Sequence, residues 1–95
     1  MTASLKGIRV LEMAQIMAGP TCGLLLADLG AEVIKIEPKD GDWARNLGQE
    51  YGEHSAFSVA ANLGKKSIIV DLKNTKSQPI LDTIIKRSDI FIEGF

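Results

Sequence analysis

Residues 5–42 constrain the fold more than any other part of this chain: an apolar run breaks at Ala18-Gly19-Pro20, a leucine-rich segment follows, and a second apolar run closes the unit. Ile8-Arg9-Val10-Leu11 has the aliphatic, β-branched character of a short strand. Gly19-Pro20 then opens a helix, because a proline in the first turn has no intrahelical N–H bond to lose. Leu24, Leu25, Leu26 and Leu29 supply that helix's apolar side, and Gly30 ends it as a left-handed C-terminal residue does. Glu32-Val33-Ile34-Lys35-Ile36-Glu37 alternates toward a second strand, which Pro38 stops. Strand, helix, strand in this order is a βαβ unit, parallel and right-handed by a strong rule.

The polar segment 39–53 carries Gly41, Gly48 and Gly52 and has no sustained period, so it reads as a loop or excursion. Residues 55–63 read as a short helix with Phe57, Val59 and Ala60 inward, ended by Gly64. Ser67-Ile68-Ile69-Val70 is a third strand. Ile80, Leu81, Ile84 and Ile85 fall at helical spacing, with Thr75 or Ser77 as the cap and Pro79 tolerated in the first turn. Residues 89–92 form a fourth strand. The expected architecture is α/β, a Rossmann-like parallel sheet with flanking helices, in one domain over residues 1–95.

A chain of 95 residues that is 45% hydrophobic has enough apolar residues for a core but is too short for two domains. Its formal net charge of -1 gives no general attraction to nucleic acid or to an anionic membrane, so any anion must be bound locally. The N-terminus has neither a signal-peptide core nor an Arg-rich transit pattern, and no apolar run reaches membrane-spanning length; a cytoplasmic protein without a membrane partner is expected. Cys22 stands alone and, on the apolar side of the first helix, is expected to be a small buried hydrophobe. His54 has no Cys partner at metal spacing and no Ser stands in a G-x-S-x-G elbow, so neither a metal site nor Ser-His-Asp chemistry is expected.

Open α/β sheets bind ligands beyond the carboxyl ends of their strands, which singles out the turn Gln15-Ile16-Met17-Ala18-Gly19. Ala18 and Gly19 are small enough to let a ligand reach the backbone; the plainer reading is a helix start and nothing more. Val70-Asp71-Leu72-Lys73 lies at the same sheet edge, where Lys73 is either a phosphate partner or an ordinary solvated residue and Asp71 an ordinary strand-end acid. Lys65 and Lys66 read as a solvated pair. Trp43 and Tyr51 either line an acyl pocket or anchor packing. Glu37 invites a dinucleotide reading, an acid at the end of the second strand that would hold a ribose. The G-x-G-x-x-G cradle that such a site requires is missing from Ala18-Gly19-Pro20-Thr21-Cys22-Gly23.

The ordered set of Leu5-Lys6-Gly7-Ile8-Arg9-Val10-Leu11-Glu12, Ala18-Gly19-Pro20, Leu25-Leu26-Ala27-Asp28-Leu29-Gly30-Ala31-Glu32-Val33-Ile34-Lys35-Ile36-Glu37-Pro38, Gly41-Asp42, Asn62-Leu63-Gly64-Lys65-Lys66-Ser67-Ile68, Val70-Asp71-Leu72-Lys73 and Ser88-Asp89-Ile90-Phe91-Ile92-Glu93 resembles the start of the class III coenzyme A transferases, the CaiB/BaiF family. That family includes formyl-CoA transferase, carnitine CoA-transferase and α-methylacyl-CoA racemase. No single piece is diagnostic; the order is. The resemblance implies an N-terminal piece of a longer chain, inactive on its own, that binds the coenzyme A portion of acyl-CoA substrates within an interlocked homodimer. The implied reaction passes coenzyme A from a thioester to a carboxylic acid through a covalent carboxylate intermediate, on an aspartate beyond residue 95, so no catalytic residue falls within this chain. Carried over position by position, the implied coenzyme A contacts are Met17, Ala18, Val70, Asp71, Leu72, Lys73 and Phe95, with no permanently bound cofactor. Two departures stand out: Pro38 where many members have an arginine, which shifts phosphate anchoring to Lys39, Lys73 or beyond the chain, and Glu93-Gly94-Phe95 where many read Glu-Asn-Phe. The α-methylacyl-CoA racemase branch shares the Glu-Gly, so a racemase is the nearest alternative. An NAD(P)-dependent enzyme and a non-catalytic α/β interaction module are more distant ones.

Overall fold

The computed structural model describes residues 3–94, so the expected contact at Phe95 lies outside the described residues. Strand β1 (Arg9–Met13) leads into helix α1 (Ala18–Asp28) and strand β2 (Glu32–Glu37). A 3-10 turn (Trp43–Asn46) and a small antiparallel hairpin, β3 (Glu50–Tyr51) with β4 (His54–Ser55), give structure to the polar excursion. Helix α2 (Ala56–Asn62), strand β5 (Lys66–Ile69), a second 3-10 turn (Thr75–Ser77), helix α3 (Gln78–Lys86) and strand β6 (Ile90–Glu93) complete the order. The main sheet runs β5-β2-β1-β6 and every pairing in it is parallel, as the βαβ reading requires.

Successive residues of a strand point to opposite faces, and both faces of this sheet are covered. Leu11, Met13, Ile36, Val70 and Leu81 form one core, with Ile34, Ile68 and Ile84 packed against it from the α3 side. Val10, Ala31 and Val33 form the other, flanked by Leu5, Ile8, Leu26 and Ala27 on the α1 side. The C-terminus of α1 closes as expected. Gly30 has φ +102, and the N–H groups of Gly30 and Ala31 reach Ala27 O at 2.9 Å and Leu26 O at 3.1 Å, the two bonds of a Schellman motif.

The helices present different faces from those their hydrophobic residues suggest. Helix α1 buries Pro20 and Gly23, whereas Leu25, Leu29 and Cys22 are exposed. The cause is close approach: the small side of the helix lies against β1, and Cys22, one residue from Gly23, is rotated about 100° away from it. The expected buried Cys22 is therefore incorrect. In α2 the buried residues are Ser58 and Ala61, while Phe57, Val59 and Ala60 face outward. Ser55 caps this helix, its side chain accepting from the Ser58 N–H as the Ser58 hydroxyl accepts from the Ser55 N–H, and that reciprocal pair turns Ser58 inward. Neither Thr75 nor Ser77 caps the third helical region; the Asn74 side chain does so, accepting from the Lys76 N–H at 3.0 Å, because the chain enters through a 3-10 turn.

A β-carbon at Gly23 would overlap the Glu12 Oε1 oxygen and crowd the Lys65 side chain. Gly23→Ala should therefore lower stability by about 1–3 kcal/mol, the usual cost of overpacking a filled site. Urea denaturation checks this, and a variant as stable as wild type would show that the Glu12 carboxylate can move aside.

Candidate functional site

The turn that leaves β1 is held in an unusual conformation. Ile16 has φ +69, the only non-glycine positive φ among the described residues and one that a β-branched side chain rarely adopts. Its N–H donates to Asp42 Oδ1 at 3.0 Å. Met17 then occupies the N-cap of α1 without a side-chain cap bond, so the first N–H groups of the helix are left for another acceptor. Ala18 is exposed in that first turn, and Gly19 packs so tightly that a β-carbon would overlap Ala14. Met17 lines an apolar cavity of about 300 Å³ with Thr21, Leu24, Ala56, Phe57 and Ala60.

Residues 70–73 leave β5 at the same end of the sheet. Val70 is buried and donates its N–H to Glu37 O at 3.0 Å, while Asp71 Oδ1 accepts the Lys73 N–H at 3.0 Å and shapes the turn. With Ile36, Pro38, Lys39 and Asp40 these four residues line a second cavity, of about 360 Å³. The structure thus brings Val70, Asp71, Leu72 and Lys73 together with Lys39, and sets Met17 and its turn beside a separate, apolar cavity. Trp43, 70% exposed, and Tyr51 line neither.

Between the two turns lies a buried row of charges that the sequence reading did not find. Glu12 and Lys35 are paired in register on β1 and β2, and the Lys35 ammonium meets Glu12 Oε2 at 2.8 Å and Ala14 O at 3.0 Å. The same ammonium lies 2.7 Å from Asp42 Oδ2, a close ion pair, although no donor approaches that oxygen along a hydrogen-bond direction. Lys65, expected to be solvated, has a side chain only 2% exposed; it reaches Glu12 Oε1, Pro20 O and Asn62 Oδ1, each at 2.7 Å. Burial pushes the Lys65 ammonium's pKa down, and the bonds to Glu12 oppose this without cancelling it. Lys66 alone of the pair is solvated, 3.2 Å from Glu32.

Glu37 extends the row. Arg45 clamps its two oxygens at 2.7 Å each, the Asp42 N–H donates at 2.9 Å, and the Ser67 hydroxyl also donates to it. With its oxygens so occupied, Glu37 is not open to a ribose, which removes the physical basis of the dinucleotide reading. Burial is the largest single influence and favours the neutral acid. The bonds from Arg45, Ser67 and the Asp42 N–H together outweigh it and lower the carboxyl pKa to about 2. His54 Nδ1 lies 3.0 Å from the same guanidinium. Among the described residues, no group of three or more His, Cys, Asp or Glu could hold a metal ion, and no helix is long and apolar enough to cross a membrane.

A parallel α/β domain with cavities beside the turns that leave β1 and β5 is the class that this geometry defines. The model of CoA-transferase family III matches residues 5–95, and the chain belongs to that family. It is 40% identical over 99 residues to a succinate–glutarate CoA-transferase of Agrobacterium fabrum, covering 96% of this chain and 25% of the relative. A formyl-CoA:oxalate CoA-transferase of Bradyrhizobium is 40% identical over 97 residues, covering 100% of this chain and 23% of the relative. Among solved structures, a CaiB/BaiF family protein from Brucella suis superposes with a TM-score of 0.92 at 35% identity, over 100% of this chain and 26% of that one. A hypothetical protein of Mycobacterium tuberculosis gives a TM-score of 0.86 at 37% identity, over 96% of this chain and 25% of that one. The chain spans about a quarter of the length of these relatives.

Because the folded carboxyl of Glu37 titrates below its ordinary 4.5, its contribution is fully present above that pH and is lost as pH falls toward about 2. The loss should amount to about 3 kcal/mol. Urea unfolding of wild type and Glu37→Gln across this window should give a flatter profile for the variant, and identical slopes would mean that Glu37 is not ion-paired in the folded protein.

Proposed function

We propose that the whole protein is a CoA-transferase that moves coenzyme A between an acyl-CoA thioester and a carboxylic acid. This segment is its N-terminal coenzyme A-binding portion and is inactive alone. The observation that carries the proposal is the convergence of Val70, Asp71, Leu72 and Lys73 with Lys39 on one cavity, in a chain whose relatives are named CoA-transferases. Lys39 and Lys73 supply point charges for the phosphates, and Ile36, Pro38, Val70 and Leu72 supply apolar lining for the nucleotide end. Pro38 stands where the resemblance implies an arginine in many members, and Lys39 beside it, together with Lys73, takes over the phosphate anchoring. The exposed N-terminus of α1, with Met17 and Ala18, receives another part of the coenzyme where backbone N–H groups are free. Phe95, outside the described residues, is carried over from the resemblance as a further coenzyme contact.

In the proposed reaction a carboxylate of an aspartate beyond residue 95 attacks the thioester carbonyl, the C–S bond breaks, and the coenzyme leaves as thiolate. The thiolate then attacks the enzyme's side of the resulting anhydride, releasing the first acid and leaving an aspartyl thioester. The second acid's carboxylate attacks that thioester and expels the thiolate, which then attacks the second acid's side of the new anhydride, giving the product thioester and freeing the aspartate. The protein works as an interlocked homodimer. The names of the relatives favour this transfer over the racemase branch.

In the complete protein, Lys73→Ala and Lys39→Ala should each weaken coenzyme A binding by about 1–3 kcal/mol, and wild-type affinity should fall with added salt. Ala18→Trp should raise the KM for acyl-CoA about tenfold or more by blocking the turn. Calorimetric titration at two ionic strengths, with a coenzyme A transfer assay, tests these together. No binding by the complete wild-type protein would favour the non-catalytic module, and isomerised acyl-CoA without transfer would favour the racemase.

A further inference from the structure

We infer that Asp42 is a positioning residue, which holds the β1–α1 turn in its binding-ready shape by fixing Ile16 in the left-handed region. The inference rests on the proposed coenzyme A reading for what the turn binds, but the coupling itself stands on geometry. Ile16 at φ +69 is a conformation that an unassisted isoleucine leaves, because its branched β-carbon crowds the neighbouring carbonyl. The contact seen to hold it is its N–H bond to Asp42 Oδ1 at 3.0 Å, reaching across 26 positions of sequence from the loop after β2.

Asp42 is itself immobilised. Its N–H is bound by Glu37 Oε1 at 2.9 Å, its Oδ1 also accepts the Ala44 N–H at 2.9 Å, and its Oδ2 faces the Lys35 ammonium at 2.7 Å. Its side chain is 1% exposed, so the carboxylate does not rotate freely. Arg45 is fixed on Glu37, and Lys35 on Glu12 and Ala14 O, which leaves the carboxylate one position from which to reach the turn. A turn that spends only a fraction of its time in the competent shape binds its ligand more weakly by that fraction. Asp42 removes this loss by keeping Met17 and the start of α1 where Ile16 places them.

The test uses the complete protein, with coenzyme A as the probe and amide hydrogen exchange at Ile16 as an independent readout. Asp42→Ala should free the Ile16 amide to exchange and weaken coenzyme A about tenfold, as expected if the isoleucine leaves the left-handed region for nine-tenths of the time. Introduced into an Ile16→Gly background, Asp42→Ala should cost about threefold or less, because glycine populates positive φ about as readily as negative. A purely structural role, neutralising Lys35, would cost the same factor in both backgrounds, and that result would overturn the inference. Should Asp42→Ala fail to fold, Asp42→Asn keeps an acceptor at Oδ1 while giving up the charge. It should leave Ile16 protected, and a freely exchanging Ile16 amide in that variant or in wild type would also overturn the inference. A protected Ile16 amide in a wild-type protein that does not bind coenzyme A would support the coupling and sink the coenzyme reading alone.

Discussion

The Glu12 carboxylate, 0% exposed at the centre of the sheet, is the constraint around which the rest of this domain is arranged. A buried charge of this kind costs several kcal/mol in lost hydration unless partners replace the water, and removing one partner of such a pair typically costs about 3–5 kcal/mol. Both of its oxygens are taken by ammonium groups, one from the neighbouring strand and one from the residue before β5. Gly23 follows from this, since any side chain there would occupy the carboxylate's space. So does the seating of α1 and α2, because Lys65 also binds Pro20 O in one helix and Asn62 Oδ1 in the other.

The second half of the row links the core to the sheet's carboxyl edge. Lys35 bridges Glu12 to Asp42, and Asp42 bridges to Glu37 through its N–H and to Ile16 through Oδ1. Three acids, Glu12, Glu37 and Asp42, thereby face three bases, Lys35, Lys65 and Arg45, with the charges balanced inside the fold. The turns that leave β1 and β2 are tied to this one array, which is why loops on different strands share a fixed geometry while their outer residues stay exposed.

Much of the backbone plan was legible in the sequence because it depends on local signals. Gly30, Pro38 and the β-branched runs mark ends and strands by steric rules that act over a few residues. The faces of the helices were less legible, since Leu25, Leu29, Phe57 and Val59 look inward by hydrophobicity while Gly23 and Ser58 are inward by fit. Of the candidate site, residues 70–73 and Lys39 were found because they follow strand ends. The charged row was missed because Glu12, Lys35, Asp42 and Lys65 resemble ordinary polar positions of half-exposed strands and loops. One signal was available: an offset of 23 residues pairs Arg9 with Glu32 and Glu12 with Lys35, both of opposite charge, in the register that the sheet adopts. Recognising it requires knowing that helices cover both faces.

The pairing of Glu12 with Lys65 also bears on the order in which the domain can assemble. The two residues are 53 positions apart, so their ion pair closes a loop that includes α1, β2, the hairpin and α2. The first βαβ unit on its own would bury Glu12 against α1 with only one of its two cations in place, and the remaining desolvation would work against that compact state. Docking of Lys65 beside β5 supplies the missing charge and fixes α1 and α2 in the same step. The centre of the sheet is in this sense completed from its edge, and the strands that a reader meets first along the chain are held in place by a residue met much later.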